Sequence, residues 1–228
     1  FDLIKSDLDK ALQLYPDNSI PGGRFQWSRP ATNALKGDVY LWTGKVMNGG
    51  DSDFSTALSA LNEIQGSNIG LLDDFESIFA FDNKGNNEIL MSVRFDEFEG
   101  GNNYFRDMYI IGSAIPTNID PETRSKIGAI GGGSNNIVVP TDYLRSLYSE
   151  DDQRKDATYY EIYTNNDQGG KNYYTSIVTK GSGTVIGGSR QFKDDVILYR
   201  YGEVLLLIAE AKNALGQDPS EEMNAIRM

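Results

Sequence analysis

The chain contains neither cysteine nor histidine. That double absence removes disulfides, thiolate nucleophiles, thiolate zinc sites, histidine-carboxylate triads and histidine-ligated metals together. Any catalysis would fall to carboxylates, Lys, Tyr, Ser or Thr. Without cysteine there is no disulfide framework from which to read a redox compartment. No run approaches the roughly 20 apolar residues that a membrane helix needs, and no secretory signal is present. Cations are also scarce: 21 basic residues against 33 acidic ones give a net charge of -12. Such a surface repels a phosphate backbone, so nucleic acid is not expected as a partner.

What is present suits a globular, loop-rich chain. Its 228 residues suffice for one large domain or two small ones; 39% are hydrophobic, while 24 Gly and 7 Pro require extensive loops. The stretch Asp194 to Gly216 reads DDVILYRYGEVLLLIAEAKNALG. Ile197, Tyr201, Val204, Leu205, Ile208, Ala211 and Leu215 recur every three or four residues, which predicts one helix over 194–216. Because 204–209 is apolar on every side, neighbours should cover most of it. Asp194 or Asp195 suits the N-cap and Gly216 the C′ position. Glu203 and Glu210 share a face one turn beyond Arg200, and a structural ion-pair network is favoured for them over an acid-base pair.

Phe1, Ile4, Leu8, Leu12 and Tyr15 predict an amphipathic helix that Pro16 ends. Ser28 and Pro30 open a second, with Ala31, Ala34, Leu35, Val39, Trp42 and Val46 as its apolar positions and Trp42 as core. Asp51 or Asp53 should cap a third, carrying Phe54, Ala57, Leu58, Leu61 and Ile64 and ending at Gly66. A short helix is expected over Leu72–Phe79, a half-buried strand over 89–95, and a helix over Thr141–Tyr148. Residues 96–138 and 164–193, including Gly181-Ser182-Gly183, Gly187 and Gly188, read as loop. Their glycine spacing does not make a phosphate site. The acidic stretches 51–53 and 82–88 lack the ligand alternation of a calcium loop.

The chemistry-bearing stretch is Asn102, Asn103, Tyr104, Phe105, Arg106 and Tyr109, with Trp27 as a second candidate. Flat rings beside amides and a guanidinium match a sugar, whose C–H faces pack on rings and whose hydroxyls pair with polar groups. An equal reading is that Tyr104, Phe105 and Tyr109 pin the loop to the core.

Four separated motifs carry a family resemblance. D-x-x-L-Y-R-Y-x-E-x-L-L-x-x-A-E-A-x-N-x-x-G at Asp195–Gly216 resembles the C-terminal signature of the SusD/RagB outer-membrane nutrient-binding lipoproteins. A-L-K-G-D-V-Y-L-W-T-G-K at Ala34–Lys45, N-N-E-I-L at Asn86–Leu90 and D-D-Q-R-K-D-A-T-Y-Y at Asp151–Tyr160 follow the family's order. The helices around 35–58 also resemble a tetratricopeptide repeat. The resemblance implies a mainly α fold: tetratricopeptide-like helix pairs, a SusD-like α superhelix with long loops and a few short β-strands. It is expected as one domain over 1–228, with helical repeats at 1–66 and 194–228 around a loop-rich, ligand-facing region at 67–193. The implied function is non-catalytic capture of oligosaccharides for a SusC-like TonB-dependent outer-membrane transporter, with no cofactor. The implied location is the outer face of the outer membrane, through a lipid anchor carried outside this sequence, which reads as an internal piece of a longer protein. The alternatives are a helical-repeat binder of a peptide or scaffold partner and, further off, a carboxylate glycosidase.

Overall fold

The computed structural model describes residues 1–64, 68–96, 98, 100, 103–127 and 132–227. In chain order its helices are α1 (Asp2–Leu14), α2 (Arg29–Val46), α3 (Gly50–Asn62), α4 (Asn103–Arg106), α5 (Pro121–Ile127), α6 (Asp142–Ser146), α7 (Arg154–Thr158), α8 (Tyr201–Ala214) and α9 (Ser220–Arg227). The strands are β1 (Ile89–Val93), β2 (Tyr159–Asn165), β3 (Lys171–Val178), β4 (Thr184–Ile186), β5 (Ser189–Gln191) and β6 (Val196–Arg200). The architecture is mainly α with short antiparallel strand pairs, as expected, and the chain divides into two compact units.

The first unit, 1–73, 85–93 and 196–228, is the helical scaffold. Ser28 caps α2 by accepting from Ala31 N–H, and Pro30 sits in its first turn. Two glycines let α2 and α3 close on each other. A Cβ on Gly37 would lie 2.4 Å from Leu61 Cγ, and one on Gly44 2.6 Å from the Phe54 ring. Ala31, Ala34, Leu41, Ala57, Leu61, Leu90, Val204, Ile208 and Ala211 share one core around this contact.

The buried face of α2 is therefore Ala34, Gly37, Leu41 and Gly44. Trp42, expected in the core, is 55% exposed, and Val46 is exposed beside it. Close backbone approach selects small residues, so the bulky stripe is turned outward. Likewise Leu8 alone of the α1 stripe is fully buried. Asp53 does not cap α3: its carboxylate accepts from Lys5 Nζ at 2.8 Å and Thr43 Oγ1 at 2.5 Å. The expected stop at Gly66 lies outside the described residues.

The predicted single helix over 194–216 is a strand followed by a helix. Residues 196–200 pair antiparallel with β1, Val93 opposite Val196 and Met91 opposite Tyr199. Pairing with a distant strand overrides local periodicity, so neither Asp194 nor Asp195 caps the helix. Instead, Tyr201 N–H at the start of α8 donates to Glu88 carbonyl at 2.7 Å. Leu206 remains exposed despite the apolar run around it. The C-terminus follows expectation: Gly216 has φ 70°, and Gln217 N–H donates to Lys212 carbonyl, closing a Schellman turn. The expected half-buried strand is covered on both sides, with Leu90 and Ser92 as buried as Ile89 and Met91. Arg24, at φ 57°, also secures it, donating to Ile89 carbonyl while its own carbonyl accepts from Ser92 N–H.

The second unit, 74–84 and 94–195, has its own core of Tyr109, Ile110, Ile119, Ile127, Ile162, Ile177 and Phe192. The stretch 164–193, read as loop, forms two hairpins: β2 with β3, and β4 with β5. Gly187 and Gly188, at φ 59° and 78°, make the two-residue turn of the latter. The expected helix over 72–79 contracts to a 3-10 turn at Glu76–Phe79. The helix expected over 141–148 is the shorter α6, which Thr141 caps by accepting from Leu144 N–H.

Candidate functional site

A cleft of about 490 Å³ opens in the second unit. Its lining comes from three separated segments: Phe81, Asp82 and Lys84; Arg94, Phe95 and Asp96; and Thr184, Ile186 and Lys193. Lys84 ties these segments together. Its ammonium donates to Phe95 carbonyl at 2.8 Å and to Lys193 carbonyl, pairs with Asp195 at 3.2 Å, and sits 4.4 Å from the centre of the Phe81 ring. Phe95 N–H in turn donates to Asp195 Oδ1 at 3.1 Å. A half-buried cation thus fixes the walls through charge-assisted hydrogen bonds. Two rings and one aliphatic side chain are left among charged and hydroxyl groups of both signs. Neighbouring Asp194 is buried outside this lining. Burial pushes its carboxyl up to about 6, against a hydrogen bond from Gly183 N–H and the field of Lys84.

The predicted ligand residues are divided. Asn102 lies outside the described residues, and Asn103 opens α4. Tyr104 is 65% exposed, tilted against Phe105 with ring centres 5.6 Å apart. Phe105 packs on the unit's core under Gly181, where a Cβ would come within 2.5 Å of its ring. Arg106 is half-exposed, 3.8 Å from Asp107. Tyr109 turns inward. At 4% exposure it donates to Ile127 carbonyl at 3.2 Å, with Phe192 and the Arg190 guanidinium against its ring. Tyr109 therefore belongs to the core. Trp27 is 42% exposed and belongs to the first unit.

The segment from Gly181, over Phe105, to Thr184 and Ile186, on the cleft, joins the α4 loop to the cleft within one unit. The sequence reading missed the cleft because its lining is spread over more than 100 positions. The available signal was the repeated Phe-Asp pair, Phe81-Asp82 and Phe95-Asp96, each within two residues of a cation, Lys84 and Arg94. Among the described residues no group of three or more acids is placed to hold a metal ion, and no helix is long and apolar enough to cross a membrane.

The chain thus contains a helical-repeat unit and a looped unit with a ring-lined cleft. Residues 162–228 match the SusD family. A SusD superfamily protein from Bacteroides vulgatus is 31% identical over 99% of this chain and 50% of its own, with a TM-score of 0.89. NanU of B. fragilis is 33% identical over 98% of this chain and 48% of its own, with a TM-score of 0.81. The chain belongs to the SusD family, and it spans about half the length of these solved proteins. Surface glycan-binding protein A from Bacteroides uniformis, at 16% identity over 98% of this chain and 48% of its own, shares the fold with a TM-score of 0.66. No curated protein matches the chain.

Proposed function

We propose that this chain captures an oligosaccharide without chemical turnover, through the cleft of its second unit and the exposed Tyr104–Arg106 edge beside it. The observation that carries the reading is the mixed lining of the cleft. Phe81, Phe95 and Ile186 offer apolar faces to sugar C–H groups, while Asp82, Arg94, Asp96, Thr184 and Lys193 offer hydrogen-bond partners for hydroxyls. Recognition sites of this size pair apolar walls with a few polar groups that fix orientation. Binding without turnover is supported by the placement of Asp194 and Glu203, the two carboxylates among the described residues whose pKa is raised, since neither lines the cleft. In the family's setting, the captured glycan would pass to a TonB-dependent outer-membrane transporter from a lipid-anchored position at the cell surface.

The test is calorimetric titration against a panel of neutral and acidic oligosaccharides, with product analysis of each mixture. Saturable binding without new products, weakened about tenfold (about 1.4 kcal/mol) by Phe95→Ala, is expected. Glycan cleavage would overturn the non-catalytic reading. Binding that survives both Phe95→Ala and Tyr104→Ala would move the site elsewhere, and no binding to any glycan would overturn the ligand class.

A further inference from the structure

Beyond glycan capture, the first unit presents a face for a protein partner. On α2 the bulky residues Leu35, Val39, Trp42 and Val46 follow at spacings of four, three and four, one stripe opposite the buried Ala34, Gly37, Leu41 and Gly44. Leu35 and Val39 are half-buried at one end, while Trp42 and Val46 are more than half exposed at the other. The stripe continues onto α8, since Lys45 of α2 lies 3.6 Å from Glu210. There Glu203, Leu206 and Glu210 share a face at spacings of three and four, with Leu206 exposed.

The border of the stripe is acidic. Asp38 accepts from Tyr199 O–H at 2.9 Å and lies close enough to Glu203 for each to feel the other's charge. Arg200 carries its guanidinium to Glu88 at 2.5 Å. The basic side chains of this border are Lys45 and Arg200, whose charge also reaches Glu203 but whose guanidinium is committed to Glu88; they face Asp38, Glu203 and Glu210. A second copy of this chain would bring carboxylates against carboxylates on a molecule already at -12. A cationic partner would instead meet complementary charge, which governs encounter and discrimination.

We propose that this α2–α8 face docks an amphipathic helix of a partner protein, with its apolar side on Trp42, Val46 and Leu206 and Lys or Arg flanks against Glu203 and Glu210. A helix laid on such a stripe is read by anchors at one-turn spacing.

The probe is a synthetic helix of roughly 18 residues, about 27 Å long, with a leucine stripe and lysine flanks; the comparison peptide has glutamate flanks. In a Trp27→Phe background Trp42 is the sole tryptophan, because the chain has two. The expected result is a saturable blue shift of Trp42 emission with the lysine peptide, about tenfold tighter than with the glutamate peptide and weakened by added salt. Val46→Asp should abolish the shift, and Glu210→Lys should erase the preference, both with unchanged circular dichroism. No shift, or equal binding of both peptides, would overturn the proposal. So would sedimentation showing a dimer that Val46→Asp dissolves, which would assign the face to a second copy. A longer chain in which Trp42 emission is already shifted, and no longer responds to the peptide, would overturn it in favour of an intramolecular cover.

Discussion

The two units of this molecule solve the same problem by different means. The helical unit closes over one core through glycine-to-bulk contacts, Gly37 on Leu61 and Gly44 on Phe54, and through the deep ion pair between Glu88 and Arg200. The looped unit has a smaller core and more ring contacts: Lys126 on Tyr160, Arg145 on Tyr173, Lys180 on Phe75 and Phe79, Arg190 on Tyr109. Periodic packing fixes a scaffold with little freedom at any position. Irregular chain held by hairpins, caps and cation–π contacts leaves rings and charges at the surface, where a ligand can meet them.

The largest effect should come from a deeply buried carboxylate of the scaffold. Glu88 is 1% exposed; one oxygen pairs with Arg200 at 2.5 Å and the other accepts from Leu72 N–H at 3.1 Å. Arg200→Leu leaves that carboxylate buried without its cation, and we expect a loss of about 3–5 kcal/mol in urea unfolding. Hydrogen exchange should rise at amides of β1, β6 and α8. Gly37→Ala should follow at about 1–3 kcal/mol, because a methyl group at 2.4 Å from Leu61 Cγ must displace the side chain or separate the helices. A loss below about 0.5 kcal/mol at Gly37 would mean that the α2–α3 contact is not the tight joint described here.

In the looped unit the corresponding test is a carboxyl that destabilises. Burial raises the folded pKa of Asp194 to about 6, above the ordinary value near 4. The folded state therefore holds the proton better than the unfolded chain. The resulting cost is absent below about pH 4, grows as pH rises through 6, and is full above it. Asp194→Asn should stabilise by about 1–3 kcal/mol at pH 8 and by almost nothing at pH 4. A gain of equal size at both pH values would show that the effect is packing and not charge.

The same contrast governs what the amino-acid order revealed. Helix starts with a chemical signal, such as Ser28 and Pro30, and stops such as Gly216 were legible because their cause is local. Strand β6 was not: 196–200 has helical spacing and is extended only because 89–93 lies beside it. Trp42 misled for a related reason. Periodicity identifies two stripes on α2 without saying which meets α3, and the answer is set by Gly37 and Gly44, residues that contribute nothing to an apolar count. In the candidate site, the α4 loop was legible as a cluster of neighbouring rings, whereas the cleft depends on Lys84 drawing together segments around 82, 95 and 193.

The smallest predicted effects separate the two tyrosines of that loop. Tyr109 is enclosed, with its O–H on Ile127 carbonyl and its pKa raised by burial despite the nearby Arg190 charge. Tyr109→Phe keeps the ring and removes one of the two donors to the Ile127 carbonyl, leaving Arg190 at 2.9 Å, so it should cost about 1 kcal/mol of stability at most and leave glycan affinity unchanged. Tyr104 presents most of its ring to solvent, so Tyr104→Ala should change stability by less than about 0.5 kcal/mol. If the ring serves the ligand, the same substitution weakens glycan binding several-fold. Chemical denaturation and calorimetry on the two variants therefore give opposite patterns, stability without affinity for one and affinity without stability for the other. Loss of both at Tyr104 would make it a structural pin like Tyr109, and the cleft alone would then carry recognition.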